Sequence, residues 1–237
     1  MKSLFVGISA ATVAFATTAG AADLGMPMKA PAPPPPPVYS WTGCYIGANA
    51  GGGIQYDTWT YEHGAGAIVG GQIGCNYQTG MLVLGIEGEG DWSGLQSQYS
   101  ENDPPDNGYT ANATAKNRWD ADIAARFGVA FDRALVYGKA GVVWGRFDFN
   151  TTDGYNNAPN YYQYSASATL SGILIGIGLE YAFMSNWTTK FEVDYLGFPN
   201  KEISINYIDD GDSEPYSQSV SAQKVLFKFG LNYKFGG

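Results

Sequence analysis

Carboxylates recur two residues apart in this chain: Glu87, Glu89 and Asp91, then Asp120 and Asp122, then Glu192 and Asp194. Paired carboxylates can run glycoside hydrolysis as acid and base. The spacing also has a plainer origin, because residues two apart share one face of a β-strand. Arg118, Arg126, Lys139, Lys190 and Lys228 fall on the same alternation, as does Glu180. Both signs of charge on one strand face describe a paired network better than a catalytic dyad. His63 is the single histidine, which excludes most Ser–His–Asp triads and His-rich zinc sites. No catalytic residue, metal site or cofactor is expected.

Cys44 and Cys75 are the two cysteines. The midpoint between them is Trp59-Thr60, the expected tip of a first loop, so a symmetric hairpin places them opposite each other. In an oxidising compartment a cross-strand disulfide is expected. The loop-entropy model gives it on the order of 3–4 kcal/mol. Two free thiols facing lipid are the alternative.

Composition narrows the classes. The chain has 237 residues, is 15% aromatic and carries a net charge of −9. The aromatic content excludes disorder along the whole length. An acidic balance without a Lys/Arg cluster argues against nucleic acid as partner. The longest apolar run is too short for a membrane-spanning helix, which leaves membrane β-barrels open.

Residues 1–21 read as a secretory signal peptide: a basic start at Lys2, an apolar stretch from Leu4 to Ala16, then small residues to Ala21-Ala22. Residues 22–40 read as a Pro-rich periplasmic linker in polyproline II, with Pro33 to Pro37 contiguous. Residues 41–235 form the folded domain and 236–237 a short extension.

Between polar segments at 93–117, 150–162 and 199–219, the chain alternates as eight strands. Pro104, Pro105, Pro159, Pro199 and Pro215 fall in those segments, and proline avoids sheet interiors, so all three are expected to be loops. Short turns at Gln78-Thr79-Gly80, Asp132-Arg133 and Met184-Ser185-Asn186 alternate with them. Long and short connections in alternation match an eight-stranded antiparallel up-and-down transmembrane β-barrel, an all-β fold. Ile123, Phe127, Ile177 and Phe229 then meet lipid. Glu87, Glu89, Asp91, Arg118, Asp120, Asp122, Arg126, Lys139, Glu180, Lys190, Glu192, Asp194 and Lys228 form a charge network in the lumen. Trp92, Trp119 and Trp144 make one interfacial girdle; Trp41, Trp187, Tyr181, Phe183, Tyr233 and Phe235 make the other.

The last strand, Lys228-Phe229-Gly230-Leu231-Asn232-Tyr233-Lys234-Phe235, resembles the C-terminal signal read by the barrel assembly machinery, with Gly230, Leu231, Tyr233 and Phe235 at its marked positions. Trp41-Thr42-Gly43-Cys44-Tyr45-Ile46-Gly47, Gly85-Ile86-Glu87-Gly88-Glu89 and Gly178-Leu179-Glu180-Tyr181-Ala182-Phe183 are similar to motifs of small alphaproteobacterial outer-membrane proteins with an OmpA-like barrel, often called a porin family. The resemblance spans Trp41 to Phe235. It implies a structural and surface-display role in the outer membrane, with outer-membrane lipids, lipopolysaccharide and the assembly machinery as partners. It leaves the oligomeric state open. Two other readings follow. One is a narrow or gated pore lined by Glu87, Glu89, Asp122 and Arg126. The other is a surface binder of haemin type, using Tyr155, Tyr161, Tyr162 and Tyr164.

Overall fold

The computed structural model describes residues 39–102, 108–155, 161–209 and 212–235. The expected signal peptide, most of the linker and the last two residues lie outside these. Among the described residues the chain is all strand and turn: β1 Gly43–Asp57, β2 His63–Thr79, β3 Leu82–Ser93, β4 Gln96–Asn102, β5 Tyr109–Phe131, β6 Ala134–Tyr155, β7 Tyr161–Ala182, β8 Trp187–Asp209 and β9 Asp212–Phe235.

Each strand runs antiparallel to its neighbours, and β9 returns to pair with β1, from Cys44 opposite Phe235 to Asp57 opposite Ala222. Closure joins the first and last strands without a free edge, as a sheet in hydrocarbon requires; in the upper half, β7 and β8 part between Ser165 and Ile173, where the ladder is interrupted. β3 and β4 occupy one position between β2 and β5, so nine strands make an eight-stave barrel. The interruption is at Gly94-Leu95. The Gly94 N–H still reaches the Ala67 carbonyl at 2.9 Å, and the Leu95 carbonyl accepts from the Asn117 N–H at 3.0 Å.

The tight turns at one end use left-handed residues where two strands reverse over two positions: Gly80 at φ 60° and Asp132 at φ 53°. Glycine and aspartate are among the residues that tolerate this region.

The three polar segments are largely not loops. β5 begins at Tyr109, β7 at Tyr161 and β9 at Asp212, so the strands run on well past the expected loop boundaries. Pro199 lies inside β8, at the register shift between Phe198 and Lys201, and Pro215 pairs with Asn206 in β9. A bulge frees proline from the ladder bond it cannot make.

β7 shows the pattern in one strand. From the long-connection end, its outward residues are Gln163, Ser165, Ser167, Thr169 and Ser171, then Ile173, Ile175, Ile177, Leu179 and Tyr181. β9 repeats it, with Ser217, Ser219, Ser221 and Gln223 followed by Val225, Phe227, Phe229, Leu231, Tyr233 and Phe235. The apolar half is about the 9–11 residues that a tilted strand needs to cross a bilayer. The polar half therefore stands in water as a collar above the membrane.

Candidate functional site in the barrel interior

Alternation sends every second side chain inward, and below the girdle these are ionic. Arg126 on β5 sits between Glu180 (Nη2 to Oε2 2.7 Å) and Glu87 (3.5 Å), with its guanidinium 3.9 Å above the Tyr137 ring. It also donates to the Tyr45 hydroxyl, which donates in turn to Glu87 at 2.7 Å. Lys139 reaches Glu192 at 2.6 Å and Asp194 at 3.3 Å. Lys190 reaches Glu89 at 3.1 Å and Glu87 at 3.4 Å. Lys228 contacts Glu89, Asp194 at 2.5 Å and Glu192 at 3.3 Å. All of these side chains are buried. Removing one member would leave its partners charged and unpaired, which costs far more than the net worth of the pair.

The carboxylates of Glu87, Glu89 and Glu192 converge, with oxygens within 4.8 Å of one another, as a metal site would need. Lys139, Lys190 and Lys228 reach those same oxygens. Three ammonium groups thus already balance the cluster. Asp91 and Asp122 are buried too, and one oxygen of each has no hydrogen-bond partner. Asp120 lies higher and binds Lys224 at 2.5 Å.

Arg118 departs from the expected network. A register shift between Asn117 and Trp119 lets one extra residue into β5, and a bulge turns successive side chains to one face. Asn117 points inward and is fully buried, while Arg118 and Trp119 both point outward. Arg118 pairs with Asp148 at 2.6 Å on the exterior. Lys224 and Lys234 enter the interior instead, alongside Asn49, Gln72 and Asn232. Unbroken alternation from Val220 to Lys234 was their signal.

Above the ionic layer the interior becomes mostly apolar, around a small buried polar group in which Ser97 donates to Asp57 and Gln55 donates to Ser97. Phe147 and Phe149 stack at 6.0 Å, Phe147 meets Phe198 edge-on at 5.3 Å, and Trp59 from the first connection packs on Phe149 at 5.3 Å. Leu95, Leu170, Leu174, Leu196 and Ile205 fill the remainder, each at most 1% exposed. Lys224 joins the layers: its ammonium binds Asp120 and lies 4.9 and 5.0 Å from the Phe147 and Phe198 rings.

Trp41 also departs from expectation. It is 1% exposed, not in a lipid-facing girdle. Its indole N–H donates to the Asp132 carbonyl at 3.1 Å, and its backbone N–H donates to Gln78 at 2.7 Å. With Tyr39, edge-on at 5.0 Å, it covers the lower mouth. Trp92, Trp119 and Trp144 do face outward, as do Trp187, Tyr181, Phe183, Tyr233 and Phe235.

Cys44 stands opposite Cys75 on the exterior, and a disulfide joins them across 31 positions. Gly230 faces inward, where an added Cβ would lie 2.8 Å from Lys190. Leu231, Tyr233 and Phe235 face outward at the closing seam. His63 is exposed at the start of β2, with its ring 5.2 Å from that of Tyr56. At the upper mouth, Trp59, Tyr99, Tyr109, Tyr164 and Asp153 border a cavity of about 270 Å³. The side chains of Tyr155, Tyr161 and Tyr162 lie outside the described residues.

A closed eight-stave barrel with an aliphatic waist, aromatic rims and an ionic interior defines a membrane-spanning barrel. Residues 8–235 match the model of the outer membrane protein beta-barrel domain, and the chain belongs to that family. It is 32% identical over 256 residues to the 31 kDa outer-membrane immunogenic protein of Brucella melitensis, covering 99% of this chain and 100% of that one. It is 29% identical to the 22 kDa outer membrane protein of Rhizobium leguminosarum, over 83% of this chain and 79% of that one. Its fold is similar to a major outer membrane protein of Thermus thermophilus, with a TM-score of 0.50, 12% identity and coverage of 81% of this chain and 99% of that one. The protein resides in the cell outer membrane.

Proposed function

We propose that the protein is a sealed, non-catalytic structural barrel that stabilises the outer membrane and holds a surface collar outside it. The observation that carries this reading is the two-layer filling of the interior, an ionic network below Phe147, Phe149 and Phe198. Eight staves leave room for little beyond side chains, and here both layers are packed. Surface display also accords with the word immunogenic in the Brucella relative's name. In this reading the assembly machinery recognises the last strand at Gly230, Leu231, Tyr233 and Phe235, and lipids, including lipopolysaccharide, surround the waist.

Planar-bilayer recording of the refolded chain tests the seal. The expected result is no ion current; steady or gated current would replace this reading with a pore lined by Glu87, Glu89, Asp122 and Arg126. The aromatic cavity at the upper mouth favours a second reading, capture of a flat ligand of haemin type. Spectroscopic titration with haemin, comparing the chain with a Trp59→Ala/Tyr164→Ala variant, tests it. An unchanged spectrum in the parent chain rejects it.

A further inference from the structure

Two irregularities of the sheet meet on the outer surface, level with the upper aromatic girdle. The β3–β4 stave breaks at Gly94-Leu95, and β5 bulges at Asn117 to Trp119 directly beside it. The Asn117 N–H to Leu95 carbonyl bond, 3.0 Å, ties the two together. The result is an open cleft of about 360 Å³, bordered by Val69, Trp92, Ser93, Lys116 and Arg118.

The cleft is amphipathic along the membrane normal. On its lower side Trp92 is 76% and Val69 60% exposed, among the most exposed large apolar side chains of the waist. On its upper side stand Lys116 and Arg118. Arg146 lies opposite Trp119 in the register of β5 and β6. In a chain of net charge −9, three cations at adjacent outward positions make a local reversal of sign. The acid among them is Asp148, opposite Lys116 in the register and 2.6 Å from Arg118 Nε. It engages one nitrogen of the guanidinium, and the Arg118 side chain remains 51% exposed. Without the bulge Arg118 would point into the apolar upper core.

We propose that this cleft binds the phosphorylated headgroup of an outer-leaflet glycolipid. Lys116, Arg118 and Arg146 meet its phosphates, and its acyl chains lie on Trp92 and Val69. Cations immediately above an apolar surface match a ligand with anionic groups directly above hydrocarbon. A free phosphate would use the cations and leave the apolar side uncovered, so the glycolipid is the occupant. The inference rests on the outer-membrane placement and not on the barrel being sealed.

The test is native mass spectrometry of the full mature chain refolded in phosphatidylcholine nanodiscs doped with bisphosphorylated lipid A, dephosphorylated lipid A or phosphatidylglycerol. The chain is expected to retain bisphosphorylated lipid A at least tenfold more than its Lys116→Gln/Arg118→Gln/Arg146→Gln variant does. Dephosphorylated lipid A and phosphatidylglycerol are expected at the variant's level, and added salt should weaken retention, as it screens exposed charge. Equal retention by chain and variant overturns the proposal. So does phosphatidylglycerol held as well as lipid A, which would mean general attraction to anionic lipid. Heat-modifiable gel migration shows that each variant is folded. Should the triple variant fail it, Lys116→Gln alone is expected to lose about threefold, and no loss there is equally fatal. A barrel that conducts ions yet retains the lipid would overturn the sealed reading and leave this one standing.

Discussion

The two halves of the barrel interior solve one packing problem in opposite ways. Below the girdle the interior is ionic, with Lys139, Lys190 and Lys228 threaded among Glu87, Glu89, Glu192 and Asp194. Above it the interior is mostly hydrocarbon, with Phe147, Leu170, Leu196 and Ile205 fully buried beside a small Gln55, Asp57 and Ser97 group. The exterior switches in the reverse sense at the same height. In β6 the outward residues change from Val136, Val142 and Trp144 to Arg146, Asp148 and Asn150. The medium outside accounts for the switch. Where lipid surrounds the barrel, apolar side chains gain nothing by turning inward, and the polar ones that specify closure go inside. Where water surrounds it, the hydrophobic effect returns and the inside fills as in a soluble barrel.

That contrast can be broken at several points. Lys228→Met strands Glu89 and Asp194 in the ionic layer and is expected to cost about 3–5 kcal/mol, measured by reversible urea unfolding in lipid vesicles. A loss below about 1 kcal/mol would mean that water already solvates this layer. Leu170→Ala in the upper layer is expected to cost about 2–4 kcal/mol by the same measurement, as a cavity in an aliphatic core does. A negligible loss would mean that the collar is not close-packed. The two exteriors are compared along one face of β7. Ile177→Arg, at mid-waist, is expected to cost about 2–4 kcal/mol, whereas Ser165→Arg, in the collar, should cost well under 1. Similar costs at both positions would erase the boundary drawn between them.

The smallest expected effect concerns Asp148. Partial burial by itself raises its pKa, but the Ser167 hydroxyl and the Arg118 guanidinium hold it below the usual carboxylate range. A lowered native pKa contributes stability that is present above the ordinary carboxylate value and is lost as pH falls through the lowered one. The Asp148 carboxyl chemical shift should therefore titrate below the ordinary aspartate range, and Arg118→Gln should move its midpoint upward. The pair is exposed enough that solvent screens most of its worth.

Much of the lower half was legible in the sequence. Ile173 to Tyr181 and Val225 to Phe235 alternate without a break, and the turns at Gly80 and Asp132 carry residues suited to left-handed backbone. Period 2 therefore located the ionic face. The upper half was obscured because residues 199–219, with Pro199 and Pro215, read as loop by composition. Ile203 and Ile205, both inward, did preserve the alternation there, but two apolar residues in a polar, proline-bearing segment make a faint signal. Arg118 was misplaced because a bulge shifts parity by one, and nothing in the residue types of Asn117-Arg118-Trp119 announces the shift. Trp41 was assigned to the rim because its hydrogen bond to Asp132 joins positions 91 residues apart.

The collar also bears on how the surface of this protein can vary. Its described connection, Thr58 to Glu62, sits on a β-structure with its own mostly apolar filling, several residues clear of the acyl chains. Substitution or insertion at the crown is thereby insulated from the seam where β9 meets β1. Outward residues of the collar can therefore change over evolutionary time while the insertion-competent waist stays constant.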